Sequence, residues 1–115
     1  MLHVKALALS SLIALSSTQG YAQSQPEISP EMATFMGWEE SVQEAFIANG
    51  VVMIAVVATQ VSPNTARCID DWYGSQPDAR KQEIRNIMDD FRRFTPESVI
   101  LAYIEKACGQ LPRPN

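Results

Sequence analysis

The placement of proline constrains this chain more than any other feature. Proline follows a capping residue at Ser29-Pro30, Ser62-Pro63 and Thr95-Pro96, and Pro77 opens a fourth segment. Proline has no amide hydrogen and a φ fixed near −65°, so it suits the first turn of a helix and breaks the interior. A preceding Ser or Thr supplies the oxygen that caps the first free amides. Each pair therefore marks a helix start and forbids a helix from running through it.

The residues between these marks recur at helical spacing. Phe35, Trp38, Val42, Ala45 and Phe46 predict a first helix from Pro30 to a stop at Asn49-Gly50. Val51–Val61 is rich in β-branched residues, which favour a strand. A lone strand cannot satisfy its backbone, and the chain holds no second strand-like run, so a buried helix is expected. Ser62-Pro63-Asn64 starts a helix carrying Cys68, Ile69, Trp72 and Tyr73, which Gly74 ends. From Pro77 to Phe94, Ile84, Ile87, Met88, Phe91 and Phe94 form one apolar stripe. Thr95-Pro96-Glu97 opens the last helix, with Val99, Ile100, Tyr103, Ile104 and Ala107 apolar, Cys108 in the final turn and Gly109 as its cap. The expected fold is all-α: a small bundle of four or five helices over residues 31–110, with a flexible leader at 23–30 and a frayed tail at 111–115.

The N-terminus reads as an export signal. Lys5 supplies a positive charge, Ala6 to Leu15 a ten-residue apolar stretch, and Gly20-Tyr21-Ala22 small residues at −3 and −1 before Gln23. As a helix, ten residues rise only about 15 Å, half a hydrocarbon core. Cleavage after Ala22 leaves 93 residues with eight basic and thirteen acidic side chains, a net charge of −5. The uncharged stretch Ala45–Ala66 contains Asn49, Gly50, Thr59, Gln60, Ser62, Pro63 and Asn64, so a core segment is expected rather than a membrane span. Stable membrane insertion after cleavage is not expected. Periplasmic or secreted protein sits in an oxidising compartment, where two cysteines allow a single pairing, Cys68–Cys108.

Composition narrows the chemistry. The acidic balance lacks the basic footprint of a nucleic-acid binder. The only histidine, His3, lies in the signal, so the mature chain has neither an imidazole base for its six serines nor a His to join the cysteines on a metal. Phosphate-cradling glycine motifs and Ca²⁺ loops are absent, and no cofactor is expected. Glu40 and Glu44, one turn apart, are the carboxylates a small hydrolase would use, although nothing in a helical bundle of this size builds the facing cleft and solvated helix faces are the expected reading.

Two clusters are candidates for partner binding. Lys81, Arg85 and Arg92 lie along one border of the Pro77–Phe94 stripe, with Glu83 and Asp90 along the other, a polarised face suited to an acidic partner. Ordinary surface charge with Arg85–Asp89 and Asp89–Arg93 pairs is the alternative. Trp72 and Tyr73, beside Cys68, are either an exposed aromatic patch or core packed on the disulfide.

The segment Cys68-Ile-Asp-Asp-Trp-Tyr-Gly, followed by Phe94-Thr-Pro-Glu-Ser-Val-Ile-Leu-Ala-Tyr-Ile-Glu-Lys-Ala-Cys108-Gly, is similar in outline to small disulfide-bonded immunity proteins that protect bacteria against type VI secretion effectors. The likeness covers roughly Gly50 to Gly109, about half of the chain, and rests on spacing and proline placement. It implies a helical periplasmic protein, in many such cases a homodimer, that occludes a toxin. The chain also resembles HdeA-type acid-stress chaperones in mature length, helicity and its single cysteine pair. Neither resemblance supplies catalytic residues. The functional expectation is a non-enzymatic domain that binds protein, with acid-stress holding and carboxylate hydrolysis as alternatives.

Overall fold

The computed structural model describes residues 27–113; the segment expected to be a signal, the first part of the expected leader and the last two residues lie outside the described residues. Five helices follow in order: α1 (Pro30–Met36), α2 (Glu40–Val61), α3 (Pro63–Gly74), α4 (Pro77–Asp90) and α5 (Pro96–Cys108). The described residues contain no strand. The fold is all-α, and four of its helices start on proline as expected.

Helix α5 is the hub, packing against each of the other four. It buries Val99, Ile100 and Ile104 against Met32, Phe35, Ile47, Val51, Ile69, Ile84 and Met88. Cys68 of α3 and Cys108 at the end of α5 are bonded, with Cα atoms 5.6 Å apart.

Helix ends depart from the sequence expectation in three places. The first predicted helix is broken at Gly37–Glu39. The break folds the chain back so that the Phe35, Trp38 and Phe46 rings meet, Trp38 and Phe46 at 5.5 Å between centroids. Eight residues along one straight helix would separate Trp38 from Phe46 by about 12 Å. The predicted stop at Asn49-Gly50 is absent, and α2 runs straight through it. Gly50 serves another purpose: a Cβ there would stand 3.1 Å from Ile100 Cδ1, so its bare Cα lets α5 approach. Helix α4 ends at Asp90 rather than Phe94, because the chain beyond turns its carbonyls to Ser29. The Ser29 amide donates to Arg92 O at 2.8 Å, and its hydroxyl donates to Phe94 O at 3.0 Å.

Ile28 and Ser29, at the end of the expected leader, and Leu111, at the start of the expected tail, pack on the domain. Ser29 is buried, and its Oγ accepts from the Met32 amide at 3.0 Å to cap α1. Ile28 packs against the core. Leu111 is buried as well, with its amide donating to Glu105 Oε2 at 2.7 Å, and Arg113 pairs with the same carboxylate.

The largest correction concerns Val51–Val61. It is helical, but of that stretch only Val51 and Ala58 are buried. Val52, Met53, Val56, Val57 and Val61 are each about half exposed or more. Amphipathicity rules fail here because the solvent side of α2 is as apolar as its core side.

Candidate functional site

Trp72 does not stand free. It is half-buried, with its ring 5.6 Å from that of Tyr103 on α5 and the Arg80 guanidinium 5.0 Å over its face. Arg80 Nε donates to the Trp72 carbonyl at 3.0 Å, and its Nη1 contacts both Glu83 oxygens at 3.2 Å. The Tyr103 hydroxyl donates to Glu83 Oε2 at 2.8 Å. That hydrogen bond, with help from Arg80, holds the Glu83 carboxyl below its ordinary range despite partial desolvation. Burial, then the Glu83 contact, pushes the Tyr103 phenol up. Tyr73 lies 6.5 Å from the Trp72 ring and is also raised by burial. This network ties α3, α4 and α5 together beside the disulfide, and its aromatic faces are used within the chain.

The three basic candidates do not form one surface. Lys81 pairs with Asp78 at 3.1 Å, and that bond raises its pKa. Arg92 pairs with Asp89 at 3.1 Å. Arg85 reaches off its helix to Glu40 at 2.9 Å and to Gln43 Oε1 at 3.1 Å. The expected Arg85–Asp89 and Asp89–Arg93 pairs are thus replaced by a shorter-range pair and a cross-helix pair. Arg85 and Arg92 share a polar cleft with Gln43 and Asn86, while Lys81 lies outside it. Glu40 is committed to Arg85, and Glu44, one turn on, is half-buried and close enough to Tyr73 and Lys81 to act on both.

An apolar groove of about 290 Å³ lies between α4 and α5. Ile87, Val99, Ala102 and Tyr103 form its floor and walls, and Lys106 is the one charged side chain in its lining. Phe91 and Phe94, 48% and 55% exposed, line the same groove with ring centroids 6.2 Å apart. The sequence pattern put both phenylalanines on the apolar stripe of a helix running to Phe94. The early end of α4 brings them out: Phe91 already has non-helical dihedrals, and the 91–95 turn is held by Ser29. No clustered His, Cys, Asp or Glu set fit for a metal occurs among the described residues.

No family model matches the chain, and neither a curated protein nor a solved structure matches it.

Proposed function

We propose that this chain is an exported, non-enzymatic domain that binds another protein, in the manner of an immunity protein, and that the α4–α5 groove receives the partner. The observation that carries the reading is the pair Phe91 and Phe94, half exposed at an apolar cavity. Exposed aromatics beside a preformed pocket are the usual anchors of a protein interface. Lys106 beside them suits a partner that inserts an apolar side chain next to an acidic group. The bonded Cys68–Cys108 pair supports an oxidising compartment, in keeping with the signal reading of Met1–Ala22.

A photo-crosslinking residue at Phe94, introduced into the chain in its native host, tests this. The expected result is one adduct of defined protein mass that disappears when Phe91→Glu is added while helicity and melting stay unchanged. Adducts identical to those from a control position such as Asp70 would refute the reading.

A further inference from the structure

The outward side of α2 has an order that its apolar character alone does not require. Val42, Ala45, Asn49, Val52, Val56 and Thr59 alternate in spacing of three and four residues, and all six are exposed. That is an unbroken a/d heptad seam facing away from the core, with valine at two of its three a positions and Asn49 at the central one. We propose that this seam pairs with the seam of a second copy, the two α2 helices running parallel with their Asn49 side chains facing each other.

Three observations select a second copy as the occupant. The residues flanking the seam are small on one side (Ser41, Ala48, Ala55) and uncharged on the other (Phe46, Met53, Gln60). Charges at flanking positions are what normally select a different partner or forbid self-pairing. The chain carries no charge between Glu44 and Arg67, so the seam itself is uncharged, and Asp70 beside Val52 and Val56 and Glu97 beside Asn49 and Met53 border it without lying in it. Asn49 then sets the direction. In a parallel pair its amide meets an identical amide and both are satisfied, whereas an antiparallel pair sets it against valine and leaves it unpaired.

The size is also sufficient. From Val42 to Thr59 the seam rises about 26 Å. With its flanks it covers on the order of 500 Å² per copy, so a pair buries about 1,000 Å², where specific interfaces begin.

A bilayer is the competing occupant, since α2 is long and apolar enough to cross one by length and composition. The other face of α2 is packed against α3 and α5. Those helices carry Asp70, Asp71, Glu97 and Glu105, which a spanning α2 would draw into hydrocarbon. Glu39, Glu40 and Glu44 at its N-terminal end would also repel an anionic lipid surface.

Sedimentation velocity of the disulfide-bonded chain across the micromolar range tests the proposal. A monomer–dimer equilibrium is expected, with Val52→Glu and Val56→Glu each leaving only monomer at unchanged helicity and melting temperature. Asn49→Cys should oxidise to a covalent dimer with the Cys68–Cys108 bond intact, while Asp71→Cys should not. Phe94→Glu should leave the dimer untouched, which separates this surface from the α4–α5 groove. A monomer at every concentration, or a dimer that survives both glutamates, would overturn the proposal. A dimer in which Asn49→Cys fails to cross-link would overturn the parallel register. Binding of the monomer to phosphatidylglycerol vesicles through this face would assign it to lipid instead.

Discussion

Gln43 on α2 holds Arg85 on α4: its Oε1 accepts from Arg85 Nε at 3.1 Å while its own Nε2 donates to the Phe35 carbonyl at 2.9 Å. One buried amide therefore joins α4 to the end of α1, and Glu40 closes on the same guanidinium from solvent. Gln43→Ala leaves the Phe35 carbonyl without that donor and should cost about 1–3 kcal/mol. Glu40→Gln should cost at most about 1 kcal/mol, because the Glu40 side chain is largely exposed. Urea unfolding of the two variants should rank them in that order; equal losses would place the stabilisation in the ion pair instead.

The Cys68–Cys108 bond closes a loop spanning 40 residues of sequence separation, from the middle of α3 to the end of α5. Closing a loop of that length gives on the order of 4 kcal/mol on the chain-entropy account. Domains of this size hold roughly 5–15 kcal/mol in total. Cys108→Ser should lower the melting temperature sharply, and adding Cys68→Ser should cost little more because both remove one bond. A change of a degree or two would show that native packing alone holds α3 to α5.

Four of the five helix starts were legible because they are written in local chemistry, whereas α2 begins at Glu40 with no proline and no capping side chain to announce it. Pro30, Pro63, Pro77 and Pro96 each begin a helix whatever surrounds them. Helix ends were legible where a glycine closes them, at Gly74 and Gly109, and not where distant residues decide them. Asn49-Gly50 has the local form of a stop, yet α2 continues because Ile100 needs the space over Gly50. Phe91 and Phe94 have helical spacing, yet α4 ends before them because Ser29 takes the carbonyls of Arg92 and Phe94.

The same limit applies to the candidate sites. Trp72 was visible as a cluster with Tyr73, but Arg80, Glu83 and Tyr103 complete its surroundings from segments that only the fold brings together. The α2 seam was hidden by the Gly50 reading itself. Once a stop is placed there, Val42, Ala45 and Asn49 belong to one helix and Val52, Val56 and Thr59 to another, and no heptad is seen.

Gly50 gives a direct test of the close approach between α2 and α5. In a solvated helix interior, Gly→Ala gains about 1 kcal/mol of helix propensity. Here the added methyl would meet Ile100 Cδ1 at 3.1 Å, and Ile100 is fully buried. Gly50→Ala should therefore gain less than that amount, with the crowding offsetting the propensity. Gly50→Val adds bulk that the interface cannot yield to and should cost about 1–3 kcal/mol. Equilibrium unfolding measures both; a full gain from Ala with no cost from Val would show that α5 stands further off.

The Glu83–Tyr103 hydrogen bond makes a pH prediction whose sign differs at the two ends of the scale. Glu83 has a lowered pKa in the fold, so its contribution is present at neutral pH and is lost as pH falls from its ordinary value of 4.5 through the lower folded value. Tyr73 and Tyr103 have raised pKa values, so their contribution is intact below pH 10 and is lost as pH rises above it. Melting temperature should therefore be flat across neutral pH and fall on both sides. Glu83→Gln should flatten part of the acid limb, since a neutral amide loses no pairing on acidification, and Tyr103→Phe should weaken both limbs by removing the shared hydrogen bond. Circular-dichroism melts of the three proteins from acid to alkaline pH measure this. An acid limb of the same steepness in Glu83→Gln would move the acid sensitivity to other carboxylates of this acidic chain.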